Sequence, residues 1–323
     1  MNPSLSSAGE IMKSARNKTI DLSVEEGQAY LERCVSVTES ASLDAVLDKT
    51  ILGDTFSVLP LLPKRSVDLL VVDPPYNLDK AFGENDFSRM TDEAYEDYTE
   101  RWISLLKPLL KPDASIYVCC DWQSSPVIGM ALKKHFTVRS RITWQREKGR
   151  GANANWKNAM EDIWFATCGK EYTFHVDAVM QRRRVIAPYR DETGAPKGWE
   201  TSDEGAFRNT HPSNFWDDIS VPYWSMPENT AHPTQKPEKL LAKLILASSD
   251  PGAVVLDPFA GSGSTSVTAK KLGRHFIGVE QNPQYCVWAE LRLERAETDK
   301  TIQGYADGVF WERNTAALQK KHR

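Results

Sequence analysis

The sequence predicts an α/β protein with a doubly wound, mostly parallel sheet and an inserted loop-rich region. Short apolar runs alternate along the chain with segments of helical periodicity, which is typical of parallel strands joined by helical crossovers. Two of these runs, at 67–72 and 254–256, end directly in an aspartate. A polar and aromatic stretch at 169–231 has little periodicity and interrupts the alternation. We therefore expect one sheet domain that carries an insertion.

Composition excludes several classes of protein. The chain has 323 residues, of which 41% are hydrophobic, enough for one large domain or two smaller ones. No apolar run approaches the ~20 residues that span a bilayer, and the amino terminus has no apolar segment of a secretory signal. The 5 cysteines form no CxxC pair, and the 6 histidines show no metal-ligand spacing. We expect a cytoplasmic protein with reduced thiols and with neither a membrane partner nor a metal.

The first half of the predicted sheet follows a flexible arm of about 20 residues and one or two short helices at 21–46. Thr91 is a predicted N-cap, because acidic residues follow it in the first turn of a helical pattern that ends in prolines. The predicted elements are a strand at 50–52, a helix containing Val58, Leu59 and Leu62, a strand at 67–72, a helix at 90–112, a strand at 114–122, a helix at about 124–135, a strand at 139–147 and an antiparallel strand at 160–168.

The second half of the predicted sheet follows the insertion. A strongly periodic helix precedes a strand that opens into a glycine-rich turn. The predicted elements are a helix at 236–250, a strand with its turn at 252–265, a helix at 265–273, a strand at 274–280 and a helix from 283 to about 297.

The glycine-rich turn predicts a ligand site. Asp257 ends a buried strand, and Gly261 and Gly263 lie in the turn that opens the next helix. Glycines permit positive φ there and let a ligand contact the backbone. Glu280 ends the following strand, where an acid can hydrogen-bond both hydroxyls of a ribose. This pattern favours an adenosine-containing cofactor, and the lack of a following Gly-Lys-Ser/Thr excludes a Walker loop.

A second site is predicted in "LLVVDPPYNL", where the apolar strand ends in Asp73. An aspartate there is costly to bury without a partner, and open α/β sheets bind ligands at this edge. Pro74 and Pro75 fix the backbone, so that the Pro74 carbonyl can point beside the Asp73 carboxylate. Two acceptors would then converge on an amino group, and Tyr76 would offer a flat face for a ring.

These strings together resemble the amino-methyltransferases of DNA that use S-adenosylmethionine. "DPPY" at 73–76, "HPTQKP" at 232–237 and "DPFAGSG" at 257–263 occur in the order of the β group. The resemblance covers about residues 48–169 and 230–297 and implies a Rossmann-like methyltransferase sheet. It divides the chain into an N-terminal arm with short helices (1–46), a catalytic half (47–168), a target-recognition region (169–231), a cofactor-binding half (232–300) and a C-terminal tail (301–323).

The resemblance also implies roles for individual residues. Asp73 and the carbonyl of Pro74 would hold the target amino group, with Pro75 fixing the loop and Tyr76 stacking on the extruded base. Lys236 would face the methionine carboxylate as its counter-charge, and we expect His232 to be a turn residue rather than a base. The implied cofactor-binding residues are Asp54, Thr234, Lys236, Asp257, Phe259, Ala260, Gly261, Ser262, Gly263 and Glu280.

The net charge of -4 does not by itself indicate nucleic-acid binding, but two local runs are basic. Duplex DNA hides the amino group, so the base must be flipped out while a positive surface holds the backbone. We expect the run at 139–150 to grip phosphates, together with Asn153, Asn155 and Trp156. In the insertion, Asn209 and Asn214 are candidate base readers, and we expect at least two of Trp199, Trp216 and Trp224 to be core. The predicted DNA-binding residues are Arg139, Arg141, Arg146, Lys148, Arg150, Arg182, Arg183 and Arg184.

The target base stays open between two amines. Asp73 is typical of N6-adenine enzymes of this family, whereas serine is commoner in N4-cytosine enzymes. Other classes also remain: a dinucleotide-dependent oxidoreductase, a DNA-binding module without activity, or an enzyme that acts on an RNA or protein amine. The favoured function is site-specific N6-adenine methylation of double-stranded DNA in a restriction-modification system, with a cognate restriction endonuclease and a homodimer as possible partners.

Overall fold

The structure is a computed structural model that describes residues 16–78, 80–82, 85–146, 154–185, 190–202, 205–313 and 315. The helices seen in these residues are α1 (Gln28–Leu31), α2 (Leu43–Val46), α3 (Thr55–Val58), α4 (Asp92–Leu106), α5 (Ser125–His135), α6 (Glu238–Ser248), α7 (Ser264–Lys271) and α8 (Pro283–Thr298). The strands are β1 (Lys49–Leu52), β2 (Val67–Val72), β3 (Lys80–Phe82), β4 (Asn85–Phe87), β5 (Leu110–Cys120), β6 (Thr137–Gln145), β7 (Met160–Thr167), β8 (Gln181–Arg184), β9 (Glu200–Ser202), β10 (Gly205–Thr210), β11 (Phe215–Trp216), β12 (Val254–Asp257), β13 (His275–Glu280), β14 (Tyr305–Ala306) and β15 (Val309–Trp311).

The main sheet confirms the predicted doubly wound, mostly parallel arrangement. Its strand order within the described residues is β1-β13-β12-β2-β5-β7-β6-β11. The first five strands in this order are parallel, and β7 runs antiparallel to both of its neighbours. The chain leaves β2 towards β5 and leaves β12 towards β13, so the strand order reverses between β2 and β12. Such a reversal opens a crevice at the carboxyl ends of the two strands.

Helices cover both faces of this sheet because its central strands are apolar on both sides. In β2, Leu70 and Val72 face a core that includes Trp102 of α4 and Ile128 of α5. The alternate residues of β2 face the other core, against α6 and α7. A strand buried on both faces reads as a continuous apolar run, which is why β2 was located in the sequence without error.

The predicted insertion forms part of a second, five-stranded sheet in the order β14-β15-β8-β10-β9. Two of these strands come from the segment that the sequence predicted as a C-terminal tail. Phe310 and Trp311 of β15 pair in parallel with Gln181 and Arg182 of β8. Both aromatic side chains are buried, so their burial draws this part of the tail into the fold.

Two other segments differ from their predictions. The helix predicted to contain Val58, Leu59 and Leu62 ends at Val58, and a short 3-10 turn follows at Leu59–Leu61. Pro63 restricts Leu62 to extended backbone, which stops the helix there. The helix predicted at 90–112 ends at Leu106, while its predicted cap is confirmed: Thr91 accepts a hydrogen bond from the Ala94 amide at 3.2 Å.

Part of the predicted arm can be followed on the surface of the sheet domain. Residues 1–15 lie outside the described residues, whereas Ile20 forms a bridge with Thr230. Tyr30 of α1 donates a hydrogen bond to Glu294 of α8 at 3.0 Å. Among the described helices, none has both the length and the apolar character needed to cross a membrane.

Candidate functional site

A cavity of about 310 Å³ opens at the switch point between β2 and β12. This volume lies within the range of small-molecule sites in proteins. Every predicted catalytic and cofactor-binding residue except Gly263 lines the cavity. The structure therefore brings together "DPPY", "HPTQKP" and the glycine turn, which are far apart in the sequence. Lining residues that the sequence analysis missed include Thr55, Phe56, Tyr98, Cys119, Gln235, Asn282 and Tyr285.

The Asp73 carboxylate is held by Lys236 and Tyr76. Lys236 Nζ lies 2.7 Å from Asp73 Oδ1 and 2.6 Å from Oδ2, and 3.0 Å from Tyr76 Oη. The Tyr76 hydroxyl is also 3.0 Å from Asp73 Oδ1. The three ammonium hydrogens of Lys236 are thus directed within this group. Asp73 is thus the counter-ion that the structure shows for Lys236, and the predicted contact of Lys236 with a methionine carboxylate stays a prediction.

Lys236 is charged and Tyr76 is neutral in this arrangement. Burial by itself lowers the pKa of Lys236, but the charges of Asp73 and Glu161 outweigh it, and the pKa is raised. Burial, followed by the charges of Asp73 and Glu161, raises the pKa of Tyr76 well above its ordinary value. Lys236 and Tyr76 therefore keep these protonation states across the physiological range.

Glu161 is a buried acid of this site that the sequence analysis did not identify. Its Oε2 lies 3.2 Å from Tyr76 Oη and 3.4 Å from Lys236 Nζ. Its other oxygen, Oε1, forms an ion pair with Arg146. Glu161 lies near the start of β7, and an antiparallel β7 brings its start to the edge where the parallel strands end. That orientation was predicted, so an acid at the start of this strand was the available signal.

The "DPPY" turn is pinned from the opposite side by α4 and its neighbours. The hydroxyl of Tyr95 donates to the Pro75 carbonyl at 2.9 Å. Asn77 exchanges two hydrogen bonds with the backbone of Met90. No described residue donates a hydrogen bond to the carbonyl of Pro74. The turn is therefore fixed while the Pro74 acceptor beside Asp73 stays available.

The glycine turn holds Glu280 at the other end of the cavity. Glu280 Oε2 accepts from the Gly261 amide and Oε1 from the Asn282 amide, both at 2.8 Å. A carboxylate has about four lone-pair sites, so these backbone bonds leave capacity for a ligand. Gly263 has a φ of 75°, and a Cβ there would lie 2.6 Å from that of Ala289. Gly263 thus allows close packing against α8 instead of lining the cavity.

Two predicted cofactor-binding acids hold the frame of the cavity. Asp257 accepts from the Phe259 amide at 3.0 Å and from the Thr265 hydroxyl at 2.6 Å. Burial is the main cause that raises the pKa of Asp257 to about 7. Asp54 caps α3 through a hydrogen bond from the Ser57 amide at 3.0 Å. Both side chains also line the cavity, so a cofactor would meet groups whose positions are already fixed.

His232 and Thr234 shape the wall between the two ends of the cavity. The Thr234 amide donates to His232 Nδ1 at 3.3 Å, and the His232 ring packs edge-on against Tyr285, with centroids 4.4 Å apart. A histidine engaged through its ring and its Nδ1 atom fits the predicted turn residue better than a base.

The basic run at 139–150 is divided by the structure. Arg139, near the start of β6, lies at the sheet edge opposite the cavity and donates to the carbonyls of Gly169 and Lys170. Arg146 is held by Glu161. Arg139 nevertheless remains exposed and the side chain of Arg146 is partly exposed, so their predicted phosphate contacts stay a prediction. Arg141 keeps an exposed side chain. Lys148, Arg150 and Asn153 lie outside the described residues.

Some of the arginines of the basic run in the insertion also interact with other residues of the protein. The Arg182 guanidinium lies over the rings of Phe207 and Trp311 and is mostly buried, so it supports the second sheet. Arg183 pairs with Asp217 at 3.2 Å. The side chain of Arg184 is exposed. A sequence cannot distinguish a guanidinium that stacks in a core from one at the surface.

The candidate base readers and the tryptophans also divide between fold and surface. Asn209 accepts from Arg182 at 3.4 Å, and Asn214 donates to the Arg141 carbonyl at 3.0 Å. Trp216 is buried, but Trp224 is half exposed, and Trp199 is only partly covered, with Arg190 over its ring. Of the three tryptophans, the expected core role thus holds clearly only for Trp216. Asn155 and Trp156 are exposed.

Comparison with known proteins identifies the family. The DNA methylase family of N6 and N4 methyltransferases matches residues 67–291. The DNA adenine methyltransferase YhdJ of Escherichia coli (strain K12) is 36% identical over 283 residues, which cover 85% of this chain and 92% of YhdJ. The type II methyltransferase M.HpaI of Haemophilus parainfluenzae is 31% identical over 249 residues, covering 76% and 74% of the two chains.

Solved structures share the fold. The cytosine-N4-specific PvuII DNA methyltransferase superposes with a TM-score of 0.56 at 17% identity, covering 77% of this chain and 89% of that chain. A putative DNA modification methylase of Thermus thermophilus, solved with S-adenosylmethionine, gives 0.53 at 22% identity, with coverages of 82% and 98%. S-Adenosylmethionine is the methyl donor of this family. The resemblance predicted from the three motifs is confirmed: the chain belongs to the DNA methylase family and is a DNA methyltransferase of the N4/N6 type.

Proposed function

We propose that the chain transfers a methyl group from S-adenosylmethionine to the N6 amine of adenine in duplex DNA, at a specific site and after base flipping. The observation that carries this proposal is the fixed pair of acceptors at the carboxyl end of β2. Asp73 Oδ1 is used by Lys236 and Tyr76, whereas Oδ2 accepts, among the described residues, only from Lys236, which leaves it one lone pair. With the Pro74 carbonyl beside it, two acceptors remain for the two hydrogens of an amino group.

The residues of the cavity fit the cofactor. Glu280 presents two oxygens to the ribose hydroxyls, and its backbone amide bonds fix their direction. Asp54, Phe259, Ala260, Ser262 and Thr234 line the same cavity. When bound, S-adenosylmethionine supplies a methyl group on a positively charged sulfur, whose bond to carbon breaks as the nitrogen–carbon bond forms. Lys236 is bound to Asp73, so it holds the acceptor for the amine instead of a cofactor carboxylate.

The protein's own part in the reaction is positioning and electrostatics. The exocyclic nitrogen of adenine is a poor nucleophile, because its lone pair is delocalised into the ring. Asp73 and the Pro74 carbonyl accept its hydrogens, which orients the amine and raises electron density on the nitrogen. Asp73 Oδ2 is then the nearest acceptor for the proton that the methylated amine must lose. Tyr76 offers its ring to the base while its hydroxyl stays on Asp73.

The choice of adenine as the target base rests on Asp73 and on a relative that is named as an adenine methyltransferase. YhdJ, at 36% identity over 85% of the chain, is a DNA adenine methyltransferase. The N4-cytosine enzyme among the similar structures is 17% identical and supports the fold only. N4-cytosine methylation uses the same two acceptors and is the alternative. M.HpaI, a type II methyltransferase by name, favours a cognate restriction endonuclease as partner, and a homodimer remains a proposal.

The proposed DNA surface is revised because Arg146, Arg182 and Arg183 are only partly exposed, while Arg139 lies at the sheet edge opposite the cavity. We assign it to Arg141, Arg184, Asn155 and Trp156, which are exposed among the described residues. Lys148 and Arg150 remain in the proposal on their charge alone. A surface of this kind holds the backbone and contributes affinity without selecting the sequence.

The test is methylation of an unmodified genomic DNA by the purified protein with labelled S-adenosylmethionine. Nucleoside analysis of the product is expected to give N6-methyladenine, and mapping by long reads is expected to place it in one short sequence. If the product is N4-methylcytosine, the assignment of adenine as the target base is overturned, while the assignment to the N4/N6 family stands. Label in RNA or in protein, with none in DNA, would overturn the proposed substrate.

A further inference from the structure

The proposed acceptor for the target amine, Asp73, belongs to a group of four charged residues, of which Glu161 and Lys236 are buried and Arg146 and Asp73 are partly exposed. Arg146, Glu161, Lys236 and Asp73 are linked in this order: Arg146 pairs with Glu161, Glu161 Oε2 is 3.4 Å from Lys236 Nζ, and Lys236 contacts both oxygens of Asp73. Tyr76 lies between the two acids, at 3.0 Å from Asp73 and 3.2 Å from Glu161. Two cations and two anions make the group neutral as a whole.

This neutrality depends on Glu161. The side chain of Glu161 is only 4% exposed, and that of Lys236 is 7% exposed, so water screens little of their interaction. Without the Glu161 carboxylate, Arg146 and Lys236 would leave one net positive charge beside Asp73. The two groups nearest to this pair, the Cys119 thiol and the Tyr76 hydroxyl, add no negative charge, because burial raises the pKa of both and keeps them protonated.

A net positive charge at this place would oppose the proposed reaction. The cofactor brings a cationic sulfur into the cavity, and the amine bound to Asp73 gains positive charge as the methyl group arrives. The site must therefore accommodate a further positive charge next to Lys236 both when the cofactor binds and when the methyl group is transferred. Resting on the proposed function, we propose that Glu161 is a positioning residue that neutralises Lys236 and keeps it and Tyr76 on Asp73, so that the site tolerates the cationic methyl donor and the amine.

The first test measures binding and needs no activity. S-Adenosylmethionine is cationic at sulfur and S-adenosylhomocysteine is neutral there, so the ratio of their dissociation constants reports the charge of the site. By calorimetry, Glu161→Gln is expected to shift this ratio at least about fivefold towards the neutral compound. Lys236→Gln is expected to shift it in the opposite direction, and the double variant to restore it to within about twofold.

A matched control lies one residue along the same strand. Asp162 is equally buried, but its side chain binds Ser125 and Thr143 and lies 3.7 Å from Arg141 Nε, without contacting Lys236 among the described residues. Asp162→Asn is expected to leave the ratio within about twofold. Glu161→Asp, which restores the charge, is expected to recover most of the wild-type ratio. In methylation assays, Glu161→Gln should lower kcat at least about tenfold, with the KM for DNA unchanged within about threefold.

Each outcome decides one question. If Glu161→Gln weakens the binding of both ligands equally, or weakens neither, the ratio of the two dissociation constants is unchanged. That result would overturn the role of Glu161 and leave the proposed function standing. Binding of neither ligand by the wild-type protein would overturn the proposed function itself. If Glu161→Gln does not fold, Lys236→Gln alone still decides, because an unchanged ratio in that variant contradicts the proposed charge balance.

Discussion

Lys236 contacts both carboxylate oxygens of Asp73, at 2.7 and 2.6 Å, across 163 residues of sequence. This bond joins "HPTQKP" to "DPPY" and fixes the carboxylate before any substrate is present. A buried lysine bound in this way is a strong orienting group, because its charge and its three hydrogens leave the acid little freedom. The two motifs therefore act as one unit, and a change in either is expected to affect the other.

Asp73→Asn is expected to lower the methylation rate about 100–1000-fold, the usual cost of one lost electrostatic partner at a reacting group. The amide retains an acceptor for Lys236 but supplies an N–H where an amine hydrogen should be accepted. Binding of S-adenosylmethionine, measured by calorimetry, should change less than about tenfold. Asp68→Asn, at the other end of β2, is the control that should stay active. Full activity of Asp73→Asn would refute the acceptor role.

Glu280→Gln is expected to weaken S-adenosylmethionine binding about 10–100-fold, since two hydrogen bonds to a charged acceptor are lost or weakened. The amide group has one acceptor oxygen and therefore cannot receive the amides of Gly261 and Asn282 as well as two hydroxyls. The comparison should include S-adenosylhomocysteine, whose ribose is the same. A loss for only one of the two ligands would contradict a ribose contact.

Asp257 predicts a pH dependence of stability. Its pKa is about 7 in the folded protein against about 3.9 in an unfolded chain. Between these values the folded state binds more protons, so stability is lost as pH rises from about 4 to about 7. Asn at this position can still accept from the Phe259 amide and can donate its NH2 to the Thr265 hydroxyl oxygen, without the charge. Asp257→Asn should thus gain about 1–3 kcal/mol relative to the wild type between pH 4.5 and 7.5, by urea unfolding. Parallel curves for the two proteins would contradict the raised pKa.

The sequence was sufficient for the strands of the main sheet and for most of the cavity. Buried parallel strands read as continuous apolar runs in the sequence, and the functional side chains lie at their carboxyl ends. Asp73, Asp257 and Glu280 could therefore be placed together. The sequence could not predict which charged residues pair with each other, because the motif "HPTQKP" does not indicate whether Lys236 contacts a ligand or an acidic side chain. Likewise, residues 182 and 184 are both arginine, but the side chain of Arg182 stacks on two aromatic rings and that of Arg184 faces solvent. Such differences arise from contacts between distant segments.

The second sheet shows the same limit, and Phe310 tests it. Phe310 is fully buried, and β15 joins β8 across a long stretch of sequence, so no local pattern predicted the pairing. Phe310→Ala is expected to lower the free energy of unfolding by about 3–5 kcal/mol. Val309→Ala, at the partly exposed neighbouring position, should cost under about 1.5 kcal/mol. Equal small losses in both variants would mean that 305–311 is not part of the core.

Arg184 and Arg182 provide the sharpest test of the proposed DNA surface, because they lie two residues apart in β8 with different surroundings. Arg184→Glu removes an exposed cation and should weaken DNA binding about equally for all sequences, with the salt-dependence slope reduced by about 1. Arg182→Glu should instead lower the unfolding temperature, since it places a carboxylate against Phe207 and Trp311. Lys133→Glu, at an exposed position in the last turn of α5, is the control for a change of net charge alone. If Lys133→Glu and Arg184→Glu weaken DNA binding equally, the effect is one of total charge, and the surface assigned to Arg184 is wrong.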